Sequence, residues 1–440
     1  VPGGALRLLA DAVVTVDAEH TVHRPGALDI EGSVITWVGP AADAPAPAGA
    51  VRDVGGLLMP GMVNTHAHSP MTLLRSAGDG LPLARWLDEV VWPREAHMVP
   101  DDAYWGMLLG ADEMLRNGIT TTCEMYLHND AVADAIIDSG MRAVITPGIF
   151  DLPGAGSAAF WHHLLDQAVS FYERYDGREG RLTAGLGPHS TYVLPEEGLV
   201  AVAEAAASLG LLVQIHLAET RAEGEAVRER YGTSAPKLLE GLGLLEGSVL
   251  AAHSVWLDND DLAVLADHDV AVAHCPASNA KLGSGVARVP ELLGLGVRVG
   301  LGTDGPASAD GLELFEGMRL AARFARALAA DPAAMTTHQA LELATRSGAA
   351  ALGLDVGVLE PGRQADVVRL ELDDGSFTPA LNASNLLGHL VWAATSRLVT
   401  DVWVGGDQVV AGGISTHIDA SRVRSEVQRR ARRIAEAAGH

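Results

Sequence analysis

His66 and His68 stand two residues apart in a chain that has 17 histidines among its 440 residues. A His-x-His pair arises by chance about 0.6 times in a random sequence of this composition, so the spacing alone carries little. Its position carries more. The pair closes the apolar run 57–65, and residues i and i+2 of a strand point to one face, so both imidazoles can reach one ion. Other ionisable residues also follow short apolar runs: His189 in Pro-His-Ser, His216 and Glu219 in His-Leu-Ala-Glu, His253 in Ala-His-Ser, and Asp304 in Gly-Thr-Asp-Gly. A single histidine at such a place is as readily a hydrogen-bonded structural residue as a ligand. Polar groups at five strand ends are hard to reconcile with core packing. Imidazole and carboxylate donors without thiolate suit Zn2+ or, second, Fe2+ or Mn2+. Three His and one Asp bind one ion and leave a position for water, whose pKa the ion lowers towards about 7.

Elements must bring these residues together. From residue 58 to 358, strand-like runs at 57–65, 120–126, 143–150, 183–188, 212–217, 249–253, 270–274 and 297–302 alternate with helical patterns such as 101–117 and 197–209. Eight such units predict an α/β fold, a (β/α)8 TIM-type barrel, whose active site lies at the C-terminal ends of the strands. A doubly wound sheet is the alternative, but no Gly-x-Gly-x-x-Gly opens a helix after the first strand. Residues 1–57 read as strands and hairpins, with an extended run at 5–17 and strands 27–30 and 34–38 around Glu-Gly-Ser. Residues 359–440 repeat the pattern at 366–372 and 399–410, with Gly-Gly-Asp at 405–407 as a turn, then end in a helix from about residue 420. Neither end suffices for a sheet alone, so the two are expected to build one small β-sandwich domain.

Composition narrows the partners. With 56 acidic and 31 basic residues the formal charge is −25, and Lys237 and Lys281 are the only lysines. Such a surface excludes nucleic acid and a polybasic membrane patch, both of which need clustered Lys and Arg. A neutral or zwitterionic small molecule fits, and the chain is compatible with a homo-oligomer. Cys123 and Cys275 both lie in apolar runs, as buried free thiols do in a reducing cytosol. The first residues lack a charged segment followed by an apolar one, and no stretch of about 20 residues is apolar enough to span a bilayer. The expectation is a cytoplasmic protein.

The motifs resemble the amidohydrolase superfamily, and within it the 5-methylthioadenosine/S-adenosylhomocysteine deaminase branch, relatives of the triazine hydrolases. The stretches that carry the resemblance are 60–75, Gly-Pro-His-Ser at 187–190, His-Leu-Ala-Glu-Thr at 216–220, Pro-Ala-Ser-Asn-Ala-Lys-Leu-Gly-Ser-Gly at 276–285 and Gly-Thr-Asp-Gly-Pro-Ala-Ser at 302–308. Gly-Arg-x-Ala-Asp at 362–366 also resembles the superfamily. The resemblance implies that His66, His68, His216 and Asp304 bind one zinc ion per subunit. A bridging Lys, common at the fourth strand of dinuclear relatives, is missing where His189 stands. It further implies that Glu219 protonates the purine ring, and that His253 orients the attacking hydroxide and the leaving amine. Asp304 would move the proton of the water towards ammonia. The reaction so implied is hydrolytic deamination at C6 of an adenosine-type nucleoside. Trp86 would contact the 5′ substituent, Glu95 would accept the ribose hydroxyls, and His189 would lie near the ribose and purine edge. A packing role for Trp86 and a solvated surface role for Glu95 are the bland readings.

One departure bears on the substrate. Where the family can place an Arg on the third strand to grip the homocysteine carboxylate, this chain has Pro147, and the loop 151–161 has no Arg. The expected substrate is therefore 5-methylthioadenosine, adenosine or another 5′-modified adenosine before S-adenosylhomocysteine. Rival readings are a deaminase or hydrolase of another heterocycle (guanine, 8-oxoguanine or an s-triazine) and a catalytically dead scaffold, the last requiring losses at the metal site that the sequence does not show.

Overall fold

In the computed structural model, which describes residues 4–151 and 160–439, the apolar run 57–65 is two strands rather than one. Leu57–Pro60 pairs antiparallel with Val367–Leu370 and parallel with Ala12–Val14. Met62–Ala67 instead starts a parallel system with Ile119–Glu124. Gly61 lies at the break, where a side chain would collide with Thr120 and where the N–H donates to the Asp366 carbonyl at 2.9 Å. Local hydropathy does not register this break, because both strands are buried along their whole length and read as one continuous apolar run.

Strands from both chain ends form one seven-stranded sheet, in the order Ile414–Ser415, Asp407–Ala411, Val399–Val404, Val367–Leu370, Leu57–Pro60, Ala12–Val14, Val22–His23. A second sheet has Val34–Pro40, Gly26–Glu31, Ala5–Ala10 and Ala50–Asp53. Leu8, Leu28 and Ile35 of the second sheet pack with Val13, Leu58, Val367 and Trp403 of the first in one buried cluster. The extended run 5–17 is thus shared between two sheets, with the change at Asp11, whose carboxylate accepts the Gly56 N–H at 2.7 Å. The run 399–410 is two strands around the expected Gly-Gly-Asp turn, with φ of 53° and 77° at Gly405 and Gly406, a conformation glycine adopts without steric cost.

The rest of the chain alternates parallel strands with helices. Met62–Ala67, Ile119–Glu124, Arg142–Ile145 and Leu182–Ala184 form one four-stranded parallel sheet, and Val213–Leu217, Val249–His253, Ala271–His274 and Val299–Leu301 form another. Isolated parallel bridges, Leu186 to Val213 and Ala67 to Asp304, link the two sheets at both margins. The run 143–150 is interrupted at Thr146 and Pro147; Pro has no N–H for the ladder, and pairing resumes at Gly148–Ile149 with Gly187–Pro188. Helices Pro100–Arg116, Glu196–Leu209 and Ala420–Ala437 lie within a residue or so of the sequence expectation. Both cysteines are buried and free, Cys123 on a strand and Cys275 just before the helix Pro276–Lys281. No helix among the described residues is long and apolar enough to cross a membrane.

One buried ion pair ties the parallel system to the sheet of the chain ends. Arg142 Nε and Nη2 each donate at 3.0 Å to the Asp366 carboxylate, which also accepts the Gly405 N–H at 2.8 Å. Removing one partner of such a pair strands the other charge without water, at a cost of about 3–5 kcal/mol. Asp366→Ala should therefore lower the melting temperature by about 3–6 °C for a chain this long. A shift below a degree in a thermal-denaturation scan would contradict that account.

Candidate active site

The strand Met62–Ala67 carries His66 and delivers His68 just past its end, while Val213–Leu217 carries His216. His68 Nδ1 lies 2.5 Å from the Met125 carbonyl and His216 Nδ1 lies 2.8 Å from the His189 carbonyl. A carbonyl only accepts, so both rings carry their proton on Nδ1 and present an unprotonated Nε2. Those two Nε2 atoms face each other at 3.2 Å. Asp304 Oδ1 is 3.3 Å from His68 Nε2 and 3.5 Å from His66 Nε2. The other Asp304 oxygen accepts from Ser278 Oγ at 2.5 Å and Ser308 Oγ at 2.7 Å, which fixes Oδ1 as the free donor.

This arrangement fits a metal. His66 is fully buried and neither ring nitrogen has a hydrogen-bond partner. Two lone pairs facing each other without a proton between them are repulsive unless a cation shares them. Tetrahedral Zn–N bonds of 2.0–2.1 Å separate two ligand nitrogens by roughly 3.3 Å, close to the separation seen. His66, His68 and His216 form a group whose ligand atoms all lie within 4.8 Å of one another. Burial pushes the His66 pKa down to about 4, and burial together with the neighbouring imidazoles holds His216 well below its ordinary value. The rings are then neutral at pH 7, the state a ligand needs.

Above the cluster lie the groups that could move protons. Glu219 is buried, its Oε1 accepts from Ser284 Oγ at 3.3 Å, and its Oε2 lies 3.7 Å from His253 Nε2. His253 Nδ1 donates to Asn279 Oδ1 at 2.9 Å, which aims Nε2 into the cavity. Burial raises the Glu219 pKa against the opposing pull of His253. For His253, burial acts downward, but the carboxylates of Glu219 and Asp304 outweigh it and the pKa is raised. Both shifts favour the protonated form of the group.

The cavity over this floor is mostly apolar. His68, His189, His216, Glu219, His253 and Asp304 line its base, and Met71, Leu83, Trp86, Leu87, Val91, Trp92, Leu127, Phe150 and Val193 line its walls. Trp86 is buried, with Nε1 donating to the Ala77 carbonyl at 2.9 Å. Glu95 lines the same cavity and hydrogen-bonds Tyr126; burial raises its pKa to about 6. His189 stacks at a tilt on His216, with ring centroids 4.5 Å apart, and burial lowers its pKa to about 3. The nine residues singled out from sequence therefore converge on one place: four in the donor cluster, Glu219, His253 and His189 beside it, and Trp86 and Glu95 on the walls. Pro147 is buried; of the arginine-free loop 151–161, residues 152–159 lie outside the described residues.

Sequence reasoning missed the residues that hold these groups. Glu124, fully buried, accepts from Ser69 N–H at 2.8 Å, Ser69 Oγ at 2.6 Å and Thr122 Oγ at 2.7 Å, and so fixes the turn after His68. An acid inside the apolar run 120–126 is the signal that could have revealed it. Ser278 and Asn279 sit within the motif 276–285, where two polar residues open a helix directly after a strand.

The amidohydrolase family model matches residues 57–409. The chain is 41% identical to the 5-methylthioadenosine/S-adenosylhomocysteine deaminase of Pelotomaculum thermopropionicum, over 96% of this chain and 97% of the relative. It is 42% identical to the protein of the same name from Moorella thermoacetica, over 92% and 94%. Among solved structures it resembles an adenosine deaminase from Xanthomonas campestris with bound zinc, at 32% identity and TM-score 0.93, each chain covered to 98%. It also resembles the atrazine chlorohydrolase TrzN from Arthrobacter aurescens complexed with zinc, at 25% identity and TM-score 0.89, covering 97% of this chain and 100% of that one. The chain belongs to the amidohydrolase family, and its sequence is similar along nearly its whole length to that family's 5-methylthioadenosine/S-adenosylhomocysteine deaminases.

Proposed function

We propose that this enzyme deaminates an adenosine-type nucleoside at C6, yielding the inosine product and ammonia, with 5-methylthioadenosine, adenosine or another 5′-modified adenosine preferred to S-adenosylhomocysteine. One observation carries the reading: an apolar cavity joins His68, His216 and Asp304 of the converging metal-type donors to a buried carboxyl, Glu219, whose pKa burial raises. The relatives named above support it. The scaffold fits as a (β/α)8 barrel over 58–358, its eight parallel strands joined at both margins by the bridges Leu186–Val213 and Ala67–Asp304. Residues 1–57 and 359–440 then make the β-sandwich, and Leu57–Pro60 crosses between the two.

His66, His68, His216 and Asp304 would hold one zinc ion per subunit, with Fe2+ or Mn2+ as second choices. Such an ion supplies the Lewis acidity that makes water a nucleophile at neutral pH. The chain's own residues do the rest. Glu219 gives its proton to the purine ring nitrogen beside C6, which lets the ring accept electrons as the C6–O bond forms. Asp304 takes one proton from the attacking water and passes it to the departing amine, so the C6–N bond breaks with ammonia leaving. The hydroxyl proton, lost as the C6 carbonyl forms, restores the Glu219 acid. His253, held by Asn279, orients water and amine through Nε2. Glu95 accepts the ribose hydroxyls, Trp86 and its apolar neighbours surround the 5′ group, and His189 borders the purine edge.

Selectivity follows from missing cations. No described residue lining the cavity is Arg or Lys, and residues 152–159 contain none. Arg75 is engaged with Glu113 and the Asp310 carbonyl, and Arg94 with the Val90 carbonyl. A lost charged hydrogen bond to a carboxylate costs about 1.5–3 kcal/mol, or roughly 10- to 150-fold in affinity.

Three outcomes are expected. In a panel of nucleosides followed by ammonia release, kcat/KM for 5-methylthioadenosine or adenosine should exceed that for S-adenosylhomocysteine at least tenfold, as the roughly 10- to 150-fold affinity term requires. Turnover confined to guanine, 8-oxoguanine or an s-triazine would replace the proposal. Glu219→Gln should retain about one zinc per chain by elemental analysis yet lose at least about 10²-fold in kcat. Retention of most of its kcat would remove Glu219 from the proton-donor role. Glu95 accepts a hydroxyl at each of its two oxygens only when ionised, because protonation turns one oxygen into a donor, and a pKa of about 6 means that protonation competes with substrate as pH falls. KM should rise up to about tenfold between pH 7 and 5, a limb that Glu95→Gln should flatten. A KM independent of pH across that window in the wild type contradicts the assignment.

A further inference from the structure

Glu223 is a buried carboxylate, 7% exposed, that does not line the cavity. Its surroundings explain how Glu219 reaches the cavity at all. Along Val213–Leu217, His216 points inward, and strand alternation would put residue 218 on that same side and residue 219 on the opposite one. Ala218 breaks the alternation with φ of 50°. That left-handed turn brings the Glu219 carboxylate to 3.7 Å from His253 Nε2. A residue with a Cβ is strained in this conformation and must be held there by its surroundings.

Two sets of bonds hold it. The Ala218 carbonyl accepts from the N–H groups of Val255 at 3.0 Å and Trp256 at 2.9 Å. On the other side, Glu223 Oε1 accepts the Ala218 N–H at 3.0 Å and Oε2 accepts the Glu219 N–H at 2.8 Å. Glu223 is the third residue of the helix Arg221–Tyr231, whose N-cap Thr220 accepts the Glu223 N–H at 3.2 Å. An acid at this position commonly reaches back to the N–H of the capping residue itself. Here it reaches one and two residues further, to the backbone of Glu219 and of the left-handed Ala218. We infer that Glu223 is a positioning residue, which fixes the backbone of Glu219 so that the carboxyl meets the substrate's ring nitrogen. The inference rests on the proposed proton-donor role of Glu219.

Glutamine at 223 keeps the size but can accept only one of the two N–H groups, because its NH2 opposes the other. The test uses the zinc-loaded enzyme with 5-methylthioadenosine and compares Glu223→Gln, Glu223→Asp, Thr220→Ala, Glu219→Gln and the Glu219→Gln/Glu223→Gln double variant. Glu223→Gln should keep its zinc and hold KM within about threefold while kcat falls about 10- to 100-fold, the split of a group acting only through the proton donor. Thr220→Ala, which weakens the same helix cap without releasing residues 218 and 219, should stay within about twofold of wild-type kcat. In the Glu219→Gln background, the second substitution should slow turnover by no more than about twofold, because coupled residues are not additive. Wild-type kcat in Glu223→Gln, a loss carried by KM, additive losses, or the same loss in Thr220→Ala would each overturn the inference. So would Glu223→Gln and Glu223→Asp proteins that are both insoluble or free of zinc, which would assign the residue to folding. A slow Glu219→Gln beside a fast Glu223→Gln overturns this inference alone. A wild-type enzyme inactive on every nucleoside, or a fully active Glu219→Gln, overturns the underlying reading as well.

Discussion

His68 and His216 turn unprotonated Nε2 atoms towards each other at 3.2 Å because their Nδ1–H groups are committed to the carbonyls of Met125 and His189. Neither ring can donate to the other. The backbone carbonyls that set the tautomers belong to the chain just after neighbouring strands, so the sheet geometry itself fixes the lone pairs. Asp304 completes the set only because Ser278 and Ser308 occupy its second oxygen. The unfavourable juxtaposition is thus built by bonds elsewhere, and a bound cation would resolve it.

Several side chains reach this point only through unusual backbone. Ala218, His253 and Asp304 all have positive φ, at 50°, 68° and 61°. Each lies at or just beyond the C-terminal end of a parallel strand, where the ladder ceases to dictate direction. Left-handed residues with a Cβ cost free energy and cluster where surrounding structure over-determines them. Here the over-determination is visible: Ala67 bridges to Asp304, the Ala218 carbonyl takes two N–H groups, and Glu124 and Glu223 bind backbone donors in the turns beside the histidines. The parallel strands supply the rigidity against which these turns are held.

That division of labour explains what the sequence could reveal. His66, His68, His216, His253 and Asp304 were legible because each interrupts or follows an apolar run, and period-two alternation says which side chains share a face. The helices were legible from their periodicity. The breaks at Gly61, Pro147 and Asp11 were not, because which strand pairs with which is decided by residues distant in sequence, from Gly187–Pro188 beside Gly148–Ile149 to Val367–Leu370 beside Leu57–Pro60. Glu124 and Glu223 were hidden for another reason: their partners are backbone N–H groups that become available only once the strand ends have turned. Pro147 was visible as a departure from the family pattern, yet only the cavity shows that Arg75 and Arg94 are engaged away from its walls.

Burial sets the protonation of the whole site in the directions that the chemistry needs. Desolvation disfavours charge of either sign. It lowers the pKa of His66, His189 and His216, leaving neutral rings with free lone pairs, and it raises Glu219 and Glu95. One physical cause therefore favours neutral imidazoles with free lone pairs and the protonated form of the carboxyls. His253 escapes the trend because the carboxylates of Glu219 and Asp304 outweigh its burial, so the ring most able to carry charge stands between the acid and the donor cluster. The apolar walls of Trp86, Leu87, Val91 and Phe150 are consequently more than a surface for a 5′ group. They exclude the water that would return every one of these groups towards its ordinary pKa. A charged side chain brought into the wall to grip a carboxylate would act on the same groups, favouring ionised Glu219 over the protonated form. In the proposed reaction, selectivity for an uncharged 5′ substituent and a raised Glu219 pKa would be two consequences of the same low-dielectric enclosure.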